Sequence, residues 1–139
     1  MEKMPFIFFM LVGFITNAQS KYTIINKDSN TNGITKMQFE EHNANRVYVR
    51  IWAECTPNDC FWGNFLTRKD ISYPEYLQRV KGNWIPYYHP IKINESFVER
   101  QVTIYQHRTR RTRYKVTLKN DYKSSNRTDT SRSYYFARQ

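Results

Sequence analysis

Val47, Val49 and Ile51 alternate with Tyr48, Arg50 and Trp52, and the run leads almost at once into two cysteines with four residues between them. Period-two alternation with β-branched residues on one face is the pattern of a half-buried strand. Cys55 and Cys60 enclose Thr56-Pro57-Asn58-Asp59. Pro57 presets a turn φ, and Asn58 and Asp59 can hydrogen-bond their own backbone, so the chain reverses there. The reversal brings the cysteines within bridging distance. Phe61, Trp62 and Gly63 open the next strand. Arg46 to Gly63 is thus a strand, a closed loop and the start of a second strand, and the rest of the chain is placed relative to it.

A Cys55–Cys60 disulfide closes a very short loop, worth roughly 2 kcal/mol by chain entropy. It fixes the hairpin more than it carries the fold. A redox site prefers C-x-x-C, whereas this spacing is C-x-x-x-x-C. A zinc site needs about four ligands, and His42, His89 and His107 are scattered singly. The expectation is a structural disulfide in an exported chain, with no metal and no cofactor.

The run Trp52-Ala53-x-Cys55-x-Pro57-x-Asp59-Cys60-x-Trp62-Gly63 resembles the W-x-x-C-x-P-x-D-C-x-W-G signature of a family of small secreted domains, lipocalin-like or up-and-down β-barrel in character. Thr128-Asp129-Thr130-Ser131-Arg132 resembles that family's late T-D-x-S-x-R segment before a final aromatic strand, with spacing one residue shorter. The middle of the chain is unmatched. The resemblance implies a barrel and brings no activity, cofactor or catalytic residue.

Met1 to Ala18 reads as a signal peptide. Lys3 gives a positive start, Phe6 to Ile15 an apolar stretch, and Thr16-Asn17-Ala18 a small-residue end. The apolar run is short for a bilayer span. Residues 19–139 then form one domain with a single core. No transmembrane segment is expected in the mature chain, and the protein is expected to be secreted or periplasmic.

Further strands are expected at Tyr22 to Asn26, Ile34 to Glu40, Phe61 to Arg68, Val98 to His107, Arg113 to Asp121 and Ser133 to Arg138, with Tyr122 to Arg132 a polar loop. Ser72-Tyr73-Pro74-Glu75 is a capping box opening a short helix with Tyr73, Tyr76, Leu77 and Val80 on one face and Gly82 as its end. Trp84 to Ile93 has strand composition, but Pro86 and Pro90 each remove a donor, which predicts an edge, bulged or extended segment. The sum is a mainly β fold: a small antiparallel up-and-down, lipocalin-like barrel of about eight strands with one short helix, the alternative being an open β-sandwich.

The net charge of +10 is uneven. From Arg100 onward eleven Lys and Arg stand against Asp121 and Asp129, densest at Arg108-Thr109-Arg110-Arg111-Thr112-Arg113. Such a cluster attracts polyanions, and the guanidinium fork suits phosphate, sulfate or carboxylate. Arg100, Lys115 and Lys119 are expected to join Arg108, Arg110, Arg111 and Arg113 on the exposed face of the last hairpin. Tyr105, Tyr114, Tyr122, Tyr134, Tyr135 and Phe136 are interleaved with these charges, as in surfaces that bind single strands or sugars. The bland alternative is a solvated hairpin tip with tyrosines packed in the barrel. Specific nucleic-acid recognition is disfavoured, since no recognised motif is present.

For catalysis the chain offers no G-x-S-x-G, no H-E-x-x-H and no glycine-rich phosphate loop. Asp59 beside Trp62 is the best single carboxylate, and it reads as a turn former. The expectation is a non-catalytic binding protein. One version uses the basic hairpin against an anionic polymer or surface. The other uses the barrel mouth, with Trp52, Trp62, Trp84 and Tyr105 around a small apolar or sugar ligand. A small secreted hydrolase is the alternative from another class.

Overall fold

The alternation in Arg46–Ala53 becomes a strand whose Val47, Val49, Ile51 and Ala53 are buried, while Tyr48, Arg50 and Trp52 stand on the opposite face. The computed structural model describes residues 20–69 and 82–139. The leader expected at Met1 to Ala18 and the helix expected from the Ser72 capping box lie outside the described residues.

The strands are β1 (Lys21–Asn26), β2 (Ile34–Glu41), β3 (Arg46–Ala53), β4 (Cys60–Arg68), β5 (Trp84–Pro86), β6 (Ile91–Asn94), β7 (Val98–His107), β8 (Arg113–Tyr122) and β9 (Thr130–Arg138). They form one antiparallel sheet in the order β4-β3-β2-β1-β9-β8-β7-β5, with β6 also paired to β7. First and last strands meet, with Ile24 opposite Arg138 and Asn26 opposite Phe136. Sequence neighbours are therefore sheet neighbours, as in an up-and-down barrel.

The seam falls between β4 and the β5–β6 edge. Among the described residues one isolated bridge crosses it, Lys69 to Tyr88. The His89 N–H donates to Arg68 O at 3.0 Å, and Thr67 Oγ1 donates to His89 O at 2.9 Å. The sheet curls into a barrel-like shape with an incomplete seam, and the two-sheet sandwich is not formed.

Pro86 and Pro90 explain that seam. They break one edge strand into β5 and β6, which lie end to end on the same side of β7. An edge is where missing donors are tolerated. Between the pieces, the Tyr87 N–H still donates to Ile104 O at 2.9 Å.

One expected loop is corrected. β9 begins at Thr130, before the expected start at Ser133, and Thr130, Ser131 and Arg132 pair with Asn120, Lys119 and Leu118. Their polarity hid the strand. Side chains secure it: Asn120 Nδ2 donates to Thr130 Oγ1 at 3.1 Å, and Asp129 Oδ1 accepts from the Tyr122 N–H at 2.9 Å.

Inside, Ile24, Met37, Val49, Ile51, Val102, Ile104 and Val116 fill the middle. The end beneath the β7–β8 turn is plugged by stacked rings. Tyr22 lies 4.8 Å from Phe39, and Phe39 lies 5.1 Å from Tyr88. Tyr114 and Phe136, interleaved in sequence with the basic residues, are buried in this core, as the barrel-packing alternative has it.

The disulfide Cys55–Cys60 is formed, with Cα atoms 5.4 Å apart. Just past it the β3–β4 register shifts between Ile51 and Trp52, a bulge that turns Trp62 toward the core. Gly63 carries φ +146°, and a Cβ there would lie 2.9 Å from the Phe65 ring. The bulge therefore needs glycine for conformation and for space.

Candidate functional site

Period two decides which side of the sheet each predicted residue occupies. On β7 the inward row is Val98, Arg100, Val102, Ile104 and Gln106, and on β8 it is Tyr114, Val116, Leu118 and Asn120. Arg113, Lys115 and Lys119 are on the outer face, as expected. Arg100 is not. It points inward on the same row as Val102, with its side chain 16% exposed. Charge alone suggested an outward residue, but the alternation of its own strand assigns it inward.

On the outer face, Tyr105, Lys115 and Tyr135 form one cross-strand row. Lys115 Nζ lies 4.7 Å from the Tyr105 ring centroid and 5.9 Å from that of Trp84. Trp84 lies 5.6 Å from Tyr135 and meets His107 edge-on at 5.0 Å. Tyr135 is 50% exposed. The next row is hydroxyl-bearing: Thr103, Thr117 and Ser133, with Thr117 Oγ1 3.0 Å from Ser133 Oγ. Then come Gln101, Lys119 and Ser131. Carboxylates appear on these strands only in the last outward row, where Glu99 faces Asp121. A shallow pocket of about 370 Å³, lined by Asn26, Lys27, Asp28 and Ser133, adjoins Tyr135.

The arginine cluster closes the β7–β8 hairpin beside the aromatic row. It is a built turn. His107 Nδ1 accepts from the Arg110 N–H at 3.0 Å, and Gln106 Nε2 donates to Arg111 O at 2.9 Å. The Arg138 N–H donates to Thr112 O at 2.8 Å, and the Arg108 N–H to Asn83 O at 2.7 Å. Arg110, Arg111 and Arg113 are exposed. The ion pairs among the described residues, Arg50–Glu40, Lys69–Glu41 and Arg100–Glu95, draw on none of these three.

At the opposite end, beside the disulfide loop, a cavity of about 530 Å³ opens. Of the four aromatics expected at the mouth, only Trp62 lines it. Trp52 is a correction: it stands on the outer face of β3, 5.2 Å from Phe61, with Lys36 Nζ 4.3 Å from its ring. Trp84 and Tyr105 are likewise corrections, placed in the outer row near the arginine turn. These rings lie on four strands, β3, β4, β5 and β7, with side chains on alternating faces, so their shared chemistry in sequence does not become a shared site.

The cavity gathers residues not singled out from sequence, among them Asn120, Arg127 and Arg132, around the inward Arg100. Only the alternation of β7 and β8 carried a signal for it. Its polar walls, below which the interior is filled, argue against a small apolar ligand. Asp59, the carboxylate singled out for catalysis, is exposed and accepts from Thr35 Oγ1 at 2.9 Å, away from this cavity. Among the described residues no group of three His, Cys, Asp or Glu gathers to hold a metal, and no helix is long and apolar enough to cross a membrane.

No family model matches the chain, and no curated protein or solved structure matches it.

Proposed function

We propose that this is an exported, non-catalytic binding protein of the lipocalin-like kind its cysteine motif resembles, which holds an acidic polysaccharide on the outer face of β7, β8 and β9. The carrying observation is the Tyr105–Lys115–Tyr135 row beside Trp84, set between an arginine turn and a row of hydroxyls. Flat rings stack on sugar faces, and hydroxyls bond sugar hydroxyls. Arg110, Arg111, Arg113 and Lys119, which form no ion pair among the described residues, offer cations to sulfate or carboxylate. A disulfide fits an oxidising compartment, where acidic glycans are at hand and nucleic acid is scarce.

The test is binding of the mature chain to a heparin-like sulfated glycan, a neutral glycan and single-stranded DNA across a salt series. The sulfated glycan binds best, with affinity falling steeply as salt rises. Arg110→Ser/Arg111→Ser/Arg113→Ser flattens the salt dependence, and Tyr135→Ala weakens binding without changing it. Tighter binding to DNA than to the glycan, or a triple variant that binds like the parent, overturns the reading.

A further inference from the structure

The mouth cavity lies at the other end of the barrel from the arginine turn, and its chemistry is different. Arginines from three places converge on it: Arg100 from the inner row of β7, Arg132 from the inner row of β9, and Arg127 from the loop between β8 and β9. Glu54 is the one carboxylate among the described lining residues.

What orients these arginines matters more than their number. Arg100 Nη1 donates to Asn120 Oδ1 at 3.0 Å, and its guanidinium lies 4.8 Å from the Trp62 ring centroid. Its carboxylate partner, Glu95, is only 3.6 Å from Nη2 and partly exposed. Arg100 Nε is buried without a hydrogen-bond acceptor among the described residues. Arg127 lies 4.2 Å from the Tyr122 ring centroid, and Arg132 Nη1 reaches Asn32 Oδ1 at 3.4 Å. Asn120 is itself fixed, since its Nδ2 donates to Thr130 Oγ1 at 3.1 Å. Amide oxygens hold Arg100 and Arg132, ring faces hold Arg100 and Arg127, and among the described residues only Arg100 of the three has a carboxylate, Glu95, within ion-pair distance. An amide oxygen sets direction but leaves the charge unneutralised, whereas a carboxylate would consume it.

A cavity of about 530 Å³ is within the range of small-ligand sites. Gly33 shapes its wall, because any Cβ at that position would collide with the Tyr134 ring that lines the same cavity. Trp62 and Tyr134 supply ring faces, and Asn120 and Thr130 supply neutral hydrogen-bonding groups.

We propose that the mouth is a binding site for a small acidic sugar, a ring whose carboxylate is held by Arg100, Arg127 and Arg132 and whose face lies against Trp62 and Tyr134. This site is separate from the outer face and stands whether or not that face binds a polymer.

Calorimetric titration of the mature chain with glucuronate, glucose and inorganic phosphate tests it. Glucuronate binds and glucose does not. Arg127→Gln/Arg132→Gln, two changes outside the core, weakens glucuronate binding at least about tenfold, as expected for lost charge-assisted contacts. Asn120→Asp, which sets a carboxylate against Arg100, weakens it too, and a thermal melt of each variant verifies the fold. Arg110→Ser/Arg111→Ser/Arg113→Ser leaves glucuronate binding unchanged, which separates this site from the outer face. No binding of glucuronate at millimolar concentration overturns the proposal, as does equal binding by the Arg127→Gln/Arg132→Gln variant. Phosphate binding as tightly as glucuronate overturns the sugar assignment and leaves an oxyanion site.

Discussion

The Tyr22 hydroxyl lies 2.6 Å from the Tyr88 hydroxyl, so the first strand is tied through the barrel interior to the segment that bridges the seam. The two residues are 66 positions apart, and each ring stacks on Phe39. Tyr88 also precedes His89, whose backbone is bonded by β4. The pair is therefore an internal strut across an opening that the backbone ladder leaves incomplete.

Tyr22→Phe is expected to cost about 1–2 kcal/mol, because it leaves the Tyr88 hydroxyl buried without its partner. Tyr22→Phe/Tyr88→Phe removes both hydroxyls and should recover part of that loss. Urea unfolding of both variants checks this. A double variant whose loss equals the summed losses of Tyr22→Phe and Tyr88→Phe measured alone would show that the bond adds nothing.

The same pair makes the fold sensitive to alkali. Burial pushes the Tyr22 phenol far above its ordinary value, with Tyr88 and Tyr114 nearby adding to the rise. Burial likewise raises Tyr88, against an opposing effect of its bond to Tyr22, and Tyr87, Tyr114 and Glu41 also face it. Above pH ~10 the unfolded chain releases protons that the native state keeps. The stabilisation is therefore complete below pH ~10 and is lost as pH rises beyond it, by up to about 1.4 kcal/mol per pH unit for each tyrosine. Absorbance titration should show these tyrosines ionising together with unfolding. Their ionisation alongside exposed tyrosines, with the sheet intact by circular dichroism, would contradict this account.

These interior relationships explain what sequence reading could reach. Val98–His107, the turn at 108–112 and the strand from Arg113 were legible because alternation and a polar turn are local signals. Pro86 and Pro90 announced an interrupted edge for the same reason. Arg100 was legible in principle, since Val98, Val102 and Ile104 fix its row, but its charge competed with its period. The mouth was not legible. Trp62 reaches it through a bulge, Arg132 through a strand whose start is polar, and Arg127 from a loop. No spacing along the chain encodes that convergence, which arises only when β9 closes against β1.

Gly63 marks the point where a bulge re-aims Trp62. Gly63→Ala meets a φ that residues with a Cβ rarely adopt, and it crowds the Phe65 ring at 2.9 Å. The expected loss is about 2 kcal/mol or more, in the range for overpacking joined to backbone strain. Thermal melting should show it. The loss should shrink when Phe65→Ala is combined with it, because the contact then vanishes and only the conformational cost remains. Equal losses with and without Phe65 would assign the whole effect to the backbone.

The disulfide beside that bulge is a local clamp. It spans a sequence separation of 5, and its loop is also held by Thr35, whose Oγ1 donates to Asp59 Oδ2 at 2.9 Å and lies 3.3 Å from Trp52 O. Trp52 and Phe61 pack across the hairpin at 5.2 Å on the outer face, independent of the sulfurs. Cys55→Ser/Cys60→Ser is therefore expected to lose only about 2 kcal/mol, the entropy of a short loop. Far-ultraviolet circular dichroism should remain that of the parent, and amide exchange should quicken around Glu54 to Phe61 while β7 and β8 stay protected. Collapse of the whole sheet in the variant would mean that the clamp, and not the filled interior, organises the fold. Adding Thr35→Val to the same variant separates the two supports, and a further local loosening without global unfolding is the result that fits a hairpin held at three points.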